Sequence, residues 1–282
     1  MLIENRQKTK CVRTIAITSG KGGVGKTNIA ANIALEIRKS GKNVMILDAD
    51  LGLSNIDILF QLTPRYNIKH VLDGKMTLKD IVIEGPRGIK ILPASSGVQE
   101  LTSLDEFQRL RLLEGFDLYD DDIDFLIIDT AAGISENVAF FCIAAQEIVV
   151  VTSPEPTAIT DAYALIKVLF TRYQEKEFRV LVNFVKSSEE GFEVFRRLSI
   201  VAEKFLNISL DYIGCIPFDS SIQRAVKEQR AIVEIYPNSI ASQKFTEIAS
   251  KFSDSNSKVK GTLQFFLGNL LSASSLQKMK QA

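Results

Sequence analysis

The segment from residue 20 to residue 27 carries the residue types and spacing best suited to chemistry in this chain. It reads Gly20-Lys21-Gly22-Gly23-Val24-Gly25-Lys26-Thr27, which fits the G-x-x-x-x-G-K-[ST] pattern of a loop that binds nucleotide phosphates. The glycines allow backbone N–H groups to converge on phosphate oxygens, and the N-terminus of a following helix adds partial positive charge. We expect Lys26 to neutralise the β and γ phosphates, Thr27 to bind Mg²⁺ and Asn28 to contact the nucleotide.

The residues on either side of this loop favour a nucleotide site over an ordinary glycine-rich turn. The run Val12–Thr18 is β-branched and apolar, as in a buried parallel strand. The run Thr27–Ile37 is rich in alanine and has apolar residues at helical spacing. Strand, glycine loop and helix therefore follow in the order that a phosphate-binding loop requires.

Acidic residues follow two further predicted strands. Asp48 and Asp50 follow Leu47, and Asp129 follows the apolar run Phe125–Ile128. Phosphoryl transfer needs charge neutralisation and a group that orients the attacking water. We expect Asp129 to hold Mg²⁺ directly or through water, Asp50 to orient the attacking water, and Asp48 to lie at the metal site or behind its ligands. The alternative is that these aspartates only cap the helices that follow.

Composition indicates a globular α/β enzyme. The chain has 282 residues, of which 46% are apolar. Its 34 basic and 34 acidic residues balance, so we do not expect a general polyanion binder or a specific nucleic-acid partner. Its three cysteines (Cys11, Cys142 and Cys215) form no C-x-x-C pair, which argues against zinc or iron–sulfur ligation and favours a cytoplasmic protein. The N-terminus lacks the apolar core of a secretory signal, and no apolar stretch approaches transmembrane length.

Apolar strands alternate with amphipathic helices along the chain. Strands are predicted at Val12–Thr18, Asn43–Leu47, Gly88–Leu92, Asp124–Ile128, Ile148–Thr152, Phe178–Asn183 and Tyr212–Ile216. Helices are predicted at Lys26–Ser40, Asp105–Phe116, Glu136–Ala145, Thr157–Tyr173, Glu189–Phe205, Ser220–Gln229 and Ser239–Phe252. This alternation predicts an α/β fold of the P-loop NTPase type, with a mostly parallel twisted sheet, helices on both faces, and ligands at the carboxyl ends of the strands.

The polar run from Ser253 to Gly261 predicts a flexible linker, so that residues 1–252 form the ATPase-type domain and residues 262–282 form a tail. Placed on a helix, five tail residues form one apolar stripe: Leu263, Phe266, Leu267, Leu270 and Leu271. Phe265 lies off this stripe. Lysines on both sides favour an anionic membrane surface as its partner. The alternative is a helix that docks on the domain's own surface.

The second lysine of the loop, Lys21, is typical of the deviant phosphate-loop ATPases related to MinD and ParA, and the chain resembles that family over nearly its whole length. Within it, the chain looks most like the flagellar-number regulators of the FlhG/FleN type. The matching segments are 48–57, 84–86, 92–98 and 129–135.

The resemblance implies a cycle driven by ATP, ADP and Mg²⁺. Members are monomeric with ADP and form a face-to-face homodimer around two ATP molecules. Lys21 matches the lysine that reaches across the dimer to the partner's nucleotide, which places it with Lys26 and Asp50 among the catalytic residues. Asn183 matches an adenine contact. Three further matches concern the base and the dimer interface: Pro217 and Phe218 in the segment that closes over the base, and Glu155 in an interface loop near the ribose.

The resemblance also implies a cellular role, in which the tail holds the dimer at the inner face of the cell membrane and the protein limits flagellar number or placement. Implied partners are the FlhF GTPase, proteins of the flagellar switch complex and a flagellar transcription activator. The first ten residues lack the Asp-Gln-Ala-x-x-Leu-Arg segment that activates FlhF, which puts that partner in doubt. Division-site placement, as in MinD, and cargo or DNA partitioning, as in ParA, stay open. The missing cysteine pair weighs against a metal-cluster carrier, and a missing C-terminal tyrosine cluster weighs against a bacterial tyrosine kinase.

Overall fold

A computed structural model describes residues 12–52, 54–94, 103–253 and 264–266. The strands are β1 (Arg13–Ser19), β2 (Val44–Ala49), β3 (Ile83–Glu84), β4 (Lys90–Leu92), β5 (Phe125–Ala132), β6 (Glu147–Thr152), β7 (Phe178–Val185) and β8 (Leu210–Pro217). The helices are α1 (Lys26–Lys39), α2 (Ile56–Leu59), α3 (Ile68–Leu72), α4 (Leu78–Ile81), α5 (Glu106–Asp117), α6 (Glu136–Ala144), α7 (Pro156–Tyr173), α8 (Ser188–Leu206), α9 (Ser220–Lys227), α10 (Ile232–Ile235) and α11 (Ile240–Ser253).

The strands form one eight-stranded sheet in the order β3-β4-β2-β5-β1-β6-β7-β8. Every neighbouring pair is parallel except β3 and β4, so the predicted mostly parallel sheet is confirmed. The order places β1 between β5 and β6 at the middle of the sheet. The carboxyl ends of β1, β2 and β5 therefore meet at one edge, where the phosphate loop and the predicted aspartates follow them.

The core lies on both faces of this sheet because successive side chains of a strand point to opposite faces. In β1, Ile15 and Ile17 belong to the core cluster that contains α1 and α11, whereas Ala16 belongs to the cluster that contains α5 to α8. All seven residues of β1 are buried. This explains why the strand reads as a continuous apolar run rather than an alternating one.

All seven predicted strands and all seven predicted helices are present, with bounds that differ by a few residues. The sequence did not predict β3, α2, α3, α4, α10 or the 3-10 helix Pro86–Gly88. Each has two to five residues, which is too short to show a hydrophobic period. One of them, α2, lies directly after the aspartates of β2 and becomes part of the site.

The described part of the tail differs from the predicted helix. Phe266 has φ +58°, in the left-handed region, so the expected right-handed helix does not run through it, and residues 265 and 266 form a turn. Phe265, expected off the apolar stripe, is buried together with Phe266 in the core cluster of α5 to α8. At these two positions the structure thus has a turn, which lets the adjacent aromatic side chains share one apolar site on the domain.

Several predictions lie outside the described residues: the tail positions Leu263, Leu267, Leu270 and Leu271, the N-terminal segment 1–10, Cys11, Leu53, and residues 95–98. The proposed limits of the linker and of the membrane-binding stripe therefore stay predictions. Within the described ranges, no helix is both long enough and apolar enough to cross a membrane.

Gly20, the first residue of the phosphate loop, is required by the close approach of α7. A Cβ atom at this position would lie 2.0 Å from the carbonyl oxygen of Asp161 and 2.9 Å from the amide nitrogen of Ala162. Helix backbone cannot move aside as a flexible side chain does. The packing of α7 against the loop therefore depends on the absence of a side chain at Gly20.

Replacing Gly20 with alanine should lower the free energy of unfolding by about 1–3 kcal/mol or more, because α7 must shift to admit the methyl group. Gly22→Ala is the matched control, since its Cβ would have its nearest contact at 4.0 Å, with the Cβ of Ala132. Urea unfolding followed by circular dichroism measures both variants. Equal stability of the two variants would contradict the packing argument.

Candidate functional site

The phosphate loop connects β1 to α1 and leaves the N-terminus of α1 open to an anion. Gly25 is the N-cap residue of α1, has φ +91°, and no side chain caps the helix. A Cβ at Gly25 would lie 2.5 Å from the side-chain nitrogen of Asn183, so both the conformation and the space require glycine. The free N–H groups of the first turn therefore point towards the cavity in front of the loop.

Lys26 lies at the start of α1 with only 9% of its surface exposed. Its Nζ donates a hydrogen bond to Ser19 Oγ at 2.9 Å, and Ser19 Oγ donates to the carbonyl oxygen of Lys21 at 2.7 Å. Burial lowers the pKa of Lys26, although the charges of Asp129 and Asp50 act in the opposite direction. A phosphate group beside Nζ would stabilise the ammonium form, so the site favours an anionic ligand.

Asp129 ends the apolar part of β5 and is almost fully buried. Burial, followed by the neighbouring charge of Asp48, raises the pKa of Asp129 to about 8, while a hydrogen bond from the Thr27 hydroxyl opposes the shift. The Oδ1 atom of Asp129 has no hydrogen-bond partner among the described residues. A buried carboxylate oxygen without a partner, beside a threonine hydroxyl, is suited to a cation that arrives with the nucleotide.

Asp48 lies opposite Asp129 in the parallel register of β2 and β5, and it is fully buried. Its carboxylate accepts hydrogen bonds from the backbone N–H groups of Asp50 at 3.2 Å, Asn55 at 2.9 Å and Ile56 at 3.1 Å, and from the Ser54 hydroxyl at 3.0 Å. Burial raises the pKa of Asp48 to about 6 despite these bonds. Asp48 thus organises the segment from Asp50 to α2, and its predicted contribution to metal binding stays a prediction.

Lys21 extends from the loop to the N-terminus of α7. Its Nζ donates to Glu155 Oε2 at 2.5 Å and to Thr157 Oγ1 at 2.7 Å. About a third of the Lys21 side chain and two thirds of the Glu155 side chain are exposed. An ion pair in such a position contributes about 0–1 kcal/mol, so a different partner can displace it at little cost.

A cavity of about 500 Å³ opens in front of the loop. Seven of the predicted residues line it: Gly22, Gly23, Gly25, Lys26, Thr27, Asn28 and Asp50. Eight further lining residues were not predicted from the sequence: Asn55, Ile58, Leu59, Thr130, Ala132, Phe184, Val226 and Gln229. The phosphate loop supplies the polar end, whereas Phe184, Ile58, Leu59 and Val226 supply the aromatic and apolar surface that suits a base.

The residues that the resemblance assigns to the base do not themselves line this cavity. Asn183 lies behind the loop, where its Nδ2 donates to the Val24 carbonyl oxygen at 2.8 Å, while its buried Oδ1 has no partner in the described chain. Phe218 is 60% exposed, and its N–H donates to the Val185 carbonyl oxygen. Their contacts with the base, and that of Pro217, stay predictions.

Phe184 is the aromatic residue that the sequence did not indicate. It has φ +60°, beside a register irregularity between β7 and β8 after Asn183, and 37% of its surface is exposed. Its ring tip would lie 3.5 Å from a Cβ at Gly25. A phenylalanine in a left-handed conformation at the end of a buried strand is an uncommon arrangement that often marks a functional position.

Two family models match the chain. One, described as an AAA domain, matches residues 12–180, and the other, described as the NUBPL iron-transfer P-loop NTPase, matches residues 112–253. Within the described ranges no group of three or more His, Cys, Asp or Glu side chains is arranged to hold a metal ion by itself. Cys142 and Cys215 are both buried, and no disulfide joins them.

Similar proteins of known name cover nearly the whole chain. The antiactivator FleN of Pseudomonas aeruginosa is 45% identical over 92% of this chain and 94% of FleN. The flagellum site-determining protein YlxH of Helicobacter pylori is 37% identical over 87% of this chain and 82% of YlxH. Among solved structures, the MinC:MinD cell division protein complex of Aquifex aeolicus matches with a TM-score of 0.69 at 29% identity, over 89% of this chain and 99% of the matched chain.

These matches agree with the geometry of the site. The two family models together match residues 12–253, which contain the phosphate loop, Asp48, Asp129 and all eight strands. FleN and YlxH are more than 30% identical to this chain, and MinD has the same fold. The chain therefore belongs to the MinD/ParA family of P-loop ATPases, in the group that contains FleN and YlxH.

Proposed function

We propose that this ATPase is a dimerisation switch, in which ATP joins two copies face to face and frees their tails to bind the membrane surface. Through this switch the protein sets the number or placement of flagella. The observation that carries the proposal is the position of the tail residues Gln264–Phe266. Phe265 packs on α6, the helix that follows the end of β5 at the nucleotide cavity, and both Phe265 and Phe266 contact Phe116 of α5.

Phe265 and Phe266 hold the tail on the domain. The N–H group of Phe265 donates to the carbonyl oxygen of Ala144, the last residue of α6, at 3.0 Å. The Phe265 ring lies 4.8 Å from the Phe116 ring and 6.4 Å from the Phe141 ring, and Phe266 lies 5.3 Å from Phe116. Burial of each phenylalanine contributes about 1.5–3 kcal/mol.

Gln264 opposes this docking. Its side chain is 2% exposed, and neither its Oε1 nor its Nε2 has a hydrogen-bond partner in the described part of the chain. An amide buried without partners costs about 1–3 kcal/mol for each unsatisfied group. Attraction and penalty are thus of similar size, which supports a tail that docks reversibly rather than as a permanent part of the core.

The β5–α6 connection links this docking site to the nucleotide. Thr130 and Ala132, at the end of β5, line the cavity. Gly133, with φ +99°, follows them, and α6 begins at Glu136. A nucleotide that contacts the end of β5 therefore acts on the same segment that carries the tail's docking surface. This connection supports release of the tail in response to ATP.

Lys21 supports the dimer part of the proposal. Within a single chain, its contacts with Glu155 and Thr157 hold the Lys21 ammonium group at the surface beside the loop. The pair is exposed and weak, so Lys21 would leave Glu155 for the phosphates of a nucleotide in a facing copy. Glu155 would then be released to the interface, where the family resemblance places it near the ribose.

In hydrolysis, Lys26 would neutralise the β and γ phosphates, and the loop's N–H groups would hold them in place. Thr27 and Asp129 would hold Mg²⁺, which supplies charge neutralisation when it is bound. Asp50 lines the cavity and would orient the attacking water, while Asp48 fixes the backbone of Asp50 through the N–H bond at 3.2 Å. Burial of Lys26 and Asp129, and the position of Asp50 in the cavity lining, support these proposed roles.

Replacing Lys26 with alanine should lower the rate of ATP hydrolysis at least about 100-fold, because the charge beside the phosphates is lost. Lys39→Ala is the matched control: it removes a lysine at the other end of the same helix, where the side chain pairs with Glu36. A phosphate-release assay measures both variants. Turnover close to wild type in Lys26→Ala would contradict the assignment.

Asp50→Ala should keep ATP bound without hydrolysing it, because the variant loses the proposed water-orienting carboxylate but keeps Lys26 and the glycine loop that would bind the phosphates. With ATP, this variant should therefore accumulate as a dimer, whereas with ADP it should stay a monomer. Size-exclusion chromatography with light scattering measures the mass of each form. Normal hydrolysis by Asp50→Ala would remove its role as the water-orienting group.

Substitutions in the docked tail should shift membrane binding in opposite directions. Gln264→Leu removes the unpaired amide, so it should stabilise the docked tail by about 1–3 kcal/mol and reduce ATP-dependent sedimentation with anionic liposomes. Phe265→Ala removes the anchoring ring without touching the predicted stripe, so it should bind liposomes even without ATP. Phe107→Ala, which changes a phenylalanine that is 81% exposed, is the control.

Truncation after Lys260 should abolish liposome binding while leaving the affinity for ATP unchanged. If the truncated protein sediments with liposomes as the full chain does, the tail is not the membrane-binding segment. If Gln264→Leu and Phe265→Ala bind alike, tail docking does not regulate attachment.

The cellular role rests on the similarity to FleN and YlxH, and the proposed partners are a flagellar transcription activator, proteins of the flagellar switch complex and the FlhF GTPase. Deletion of the gene, followed by electron microscopy of the cells, tests it. Altered flagellar number or placement is the expected result. Minicells would instead assign division-site placement, and misplaced cargo would assign partitioning.

A further inference from the structure

Two glutamines join α2 to the end of α9 beside the nucleotide cavity. The Nε2 of Gln229, which follows α9, donates to the carbonyl oxygen of Ile58 at 2.8 Å. The Nε2 of Gln61, which follows α2, donates to the carbonyl oxygen of Glu228 at 3.3 Å. Each glutamine thus bonds to the backbone of the segment that carries the other. We call this reciprocal pair of bonds the glutamine clasp.

Both glutamines have a left-handed backbone, with φ +53° at Gln61 and φ +51° at Gln229. Glycine is the residue that usually takes this conformation at the end of a helix, because a side chain is strained there. The chain instead places at both positions a side chain long enough to reach the facing segment. The strain at each position is offset by a bond that joins two elements distant in the sequence.

The clasp lies on the wall of the cavity that suits the base. Gln229 itself, Ile58 and Val226 line the cavity, together with Phe184. The phosphates would bind at the glycine-rich lining of residues 22–27, which supplies backbone N–H groups and the Lys26 ammonium group. A base attached to those phosphates would therefore contact the apolar surface that α2 and α9 form together, and the clasp sets the spacing of these two elements.

The other end of α2 is fixed by Asp48. The backbone N–H groups of Asn55 and Ile56, at the start of the helix, donate to the Asp48 carboxylate, which also accepts the N–H of Asp50. Because α2 has only four residues, it spans about 6 Å and transmits a shift at one end to the other. A continuous set of contacts thus runs from Gln229 through α2 and Asp48 to Asp50.

We propose that Gln229 is a positioning residue for ATP hydrolysis: through the glutamine clasp it makes the placement of Asp50 depend on whether a base occupies the α2–α9 wall. A nucleotide then differs from free pyrophosphate or polyphosphate in two respects, namely its affinity and its effect on the segment from Asp50 to α2. The inference rests on the ATPase activity and on Asp50 as the water-orienting group, and it does not involve the tail or the membrane.

Amide hydrogen exchange with two ligands tests the proposal in the monomer. ADP with Mg²⁺ carries a base, whereas pyrophosphate with Mg²⁺ occupies only the phosphate end. In the wild type, ADP should slow exchange in residues 54–60 roughly 2- to 10-fold more than pyrophosphate, the range that one hydrogen bond supplies. In Gln229→Met this additional protection should disappear, while the protection given by pyrophosphate remains. Gln61→Met should weaken it in the same direction.

Methionine matches glutamine in length and backbone preference but has no N–H donor, so the fold should be retained. Gln174→Met is the matched control: Gln174 also has a left-handed backbone (φ +62°) after a helix, and its amide donates to the Thr171 carbonyl oxygen, within the same helix end. The control should behave as wild type. Additional protection by ADP that persists in Gln229→Met would overturn the proposal.

A kinetic comparison separates positioning from a merely structural role. For Gln229→Met, kcat for ATP should fall roughly 3- to 10-fold while ADP affinity stays within about 2-fold of wild type. A change in ADP affinity with unchanged kcat would overturn the proposal. If Asp50→Ala still hydrolyses ATP, the role assigned to Asp50 is removed. The exchange experiment does not depend on that role, because it measures the protection of residues 54–60.

Discussion

The burial of three ionisable groups at the carboxyl ends of the central strands is the constraint on which the rest of the site depends. Lys26, Asp48 and Asp129 are each 9% exposed or less. Burial disfavours their charged forms, lowering the pKa of Lys26 and raising those of both aspartates. Phosphates and a cation would stabilise the charged forms of Lys26 and Asp129. The fold thus holds these groups in an arrangement that a bound nucleotide completes.

The sheet order explains how distant residues come to share this site. Parallel pairing places Asp48 and Asp129 opposite each other, and β1 delivers the phosphate loop at the same edge. Glycine at positions 20 and 25 then allows α7 and Asn183 to approach the loop from behind. Asp48 in turn orders the segment from Asp50 to α2, because its carboxylate accepts hydrogen bonds from three backbone N–H groups and from the Ser54 hydroxyl.

The sequence predicted the parts of the site that are encoded locally. The phosphate loop, the strand before it and the aspartate after β5 each occupy one continuous segment, and their spacing reflects one strand, loop or helix. Phe184, Val226 and Gln229 were not predicted, because their position depends on how separate segments meet across the cavity. No periodicity shows that Gln229 reaches Ile58, since the two residues are 171 positions apart. The short helix α2 is held at its start by Asp48, and its four residues are too few to show a hydrophobic period.

The tail illustrates a second limit of pattern analysis and, with it, the physical basis of the proposed switch. An apolar stripe shows that side chains avoid water, but both lipid and protein satisfy that requirement. Phe266 belongs to the predicted membrane stripe, yet it packs against Phe116 in the core cluster of α5 to α8. The same ring cannot occupy both environments at once, so in the proposed switch docking and membrane attachment would compete for it. The unpaired Gln264 amide would weaken the docked state, and the β5–α6 connection would let the nucleotide act on it. A competition that is nearly balanced, and that one ligand can shift, is what reversible membrane attachment requires.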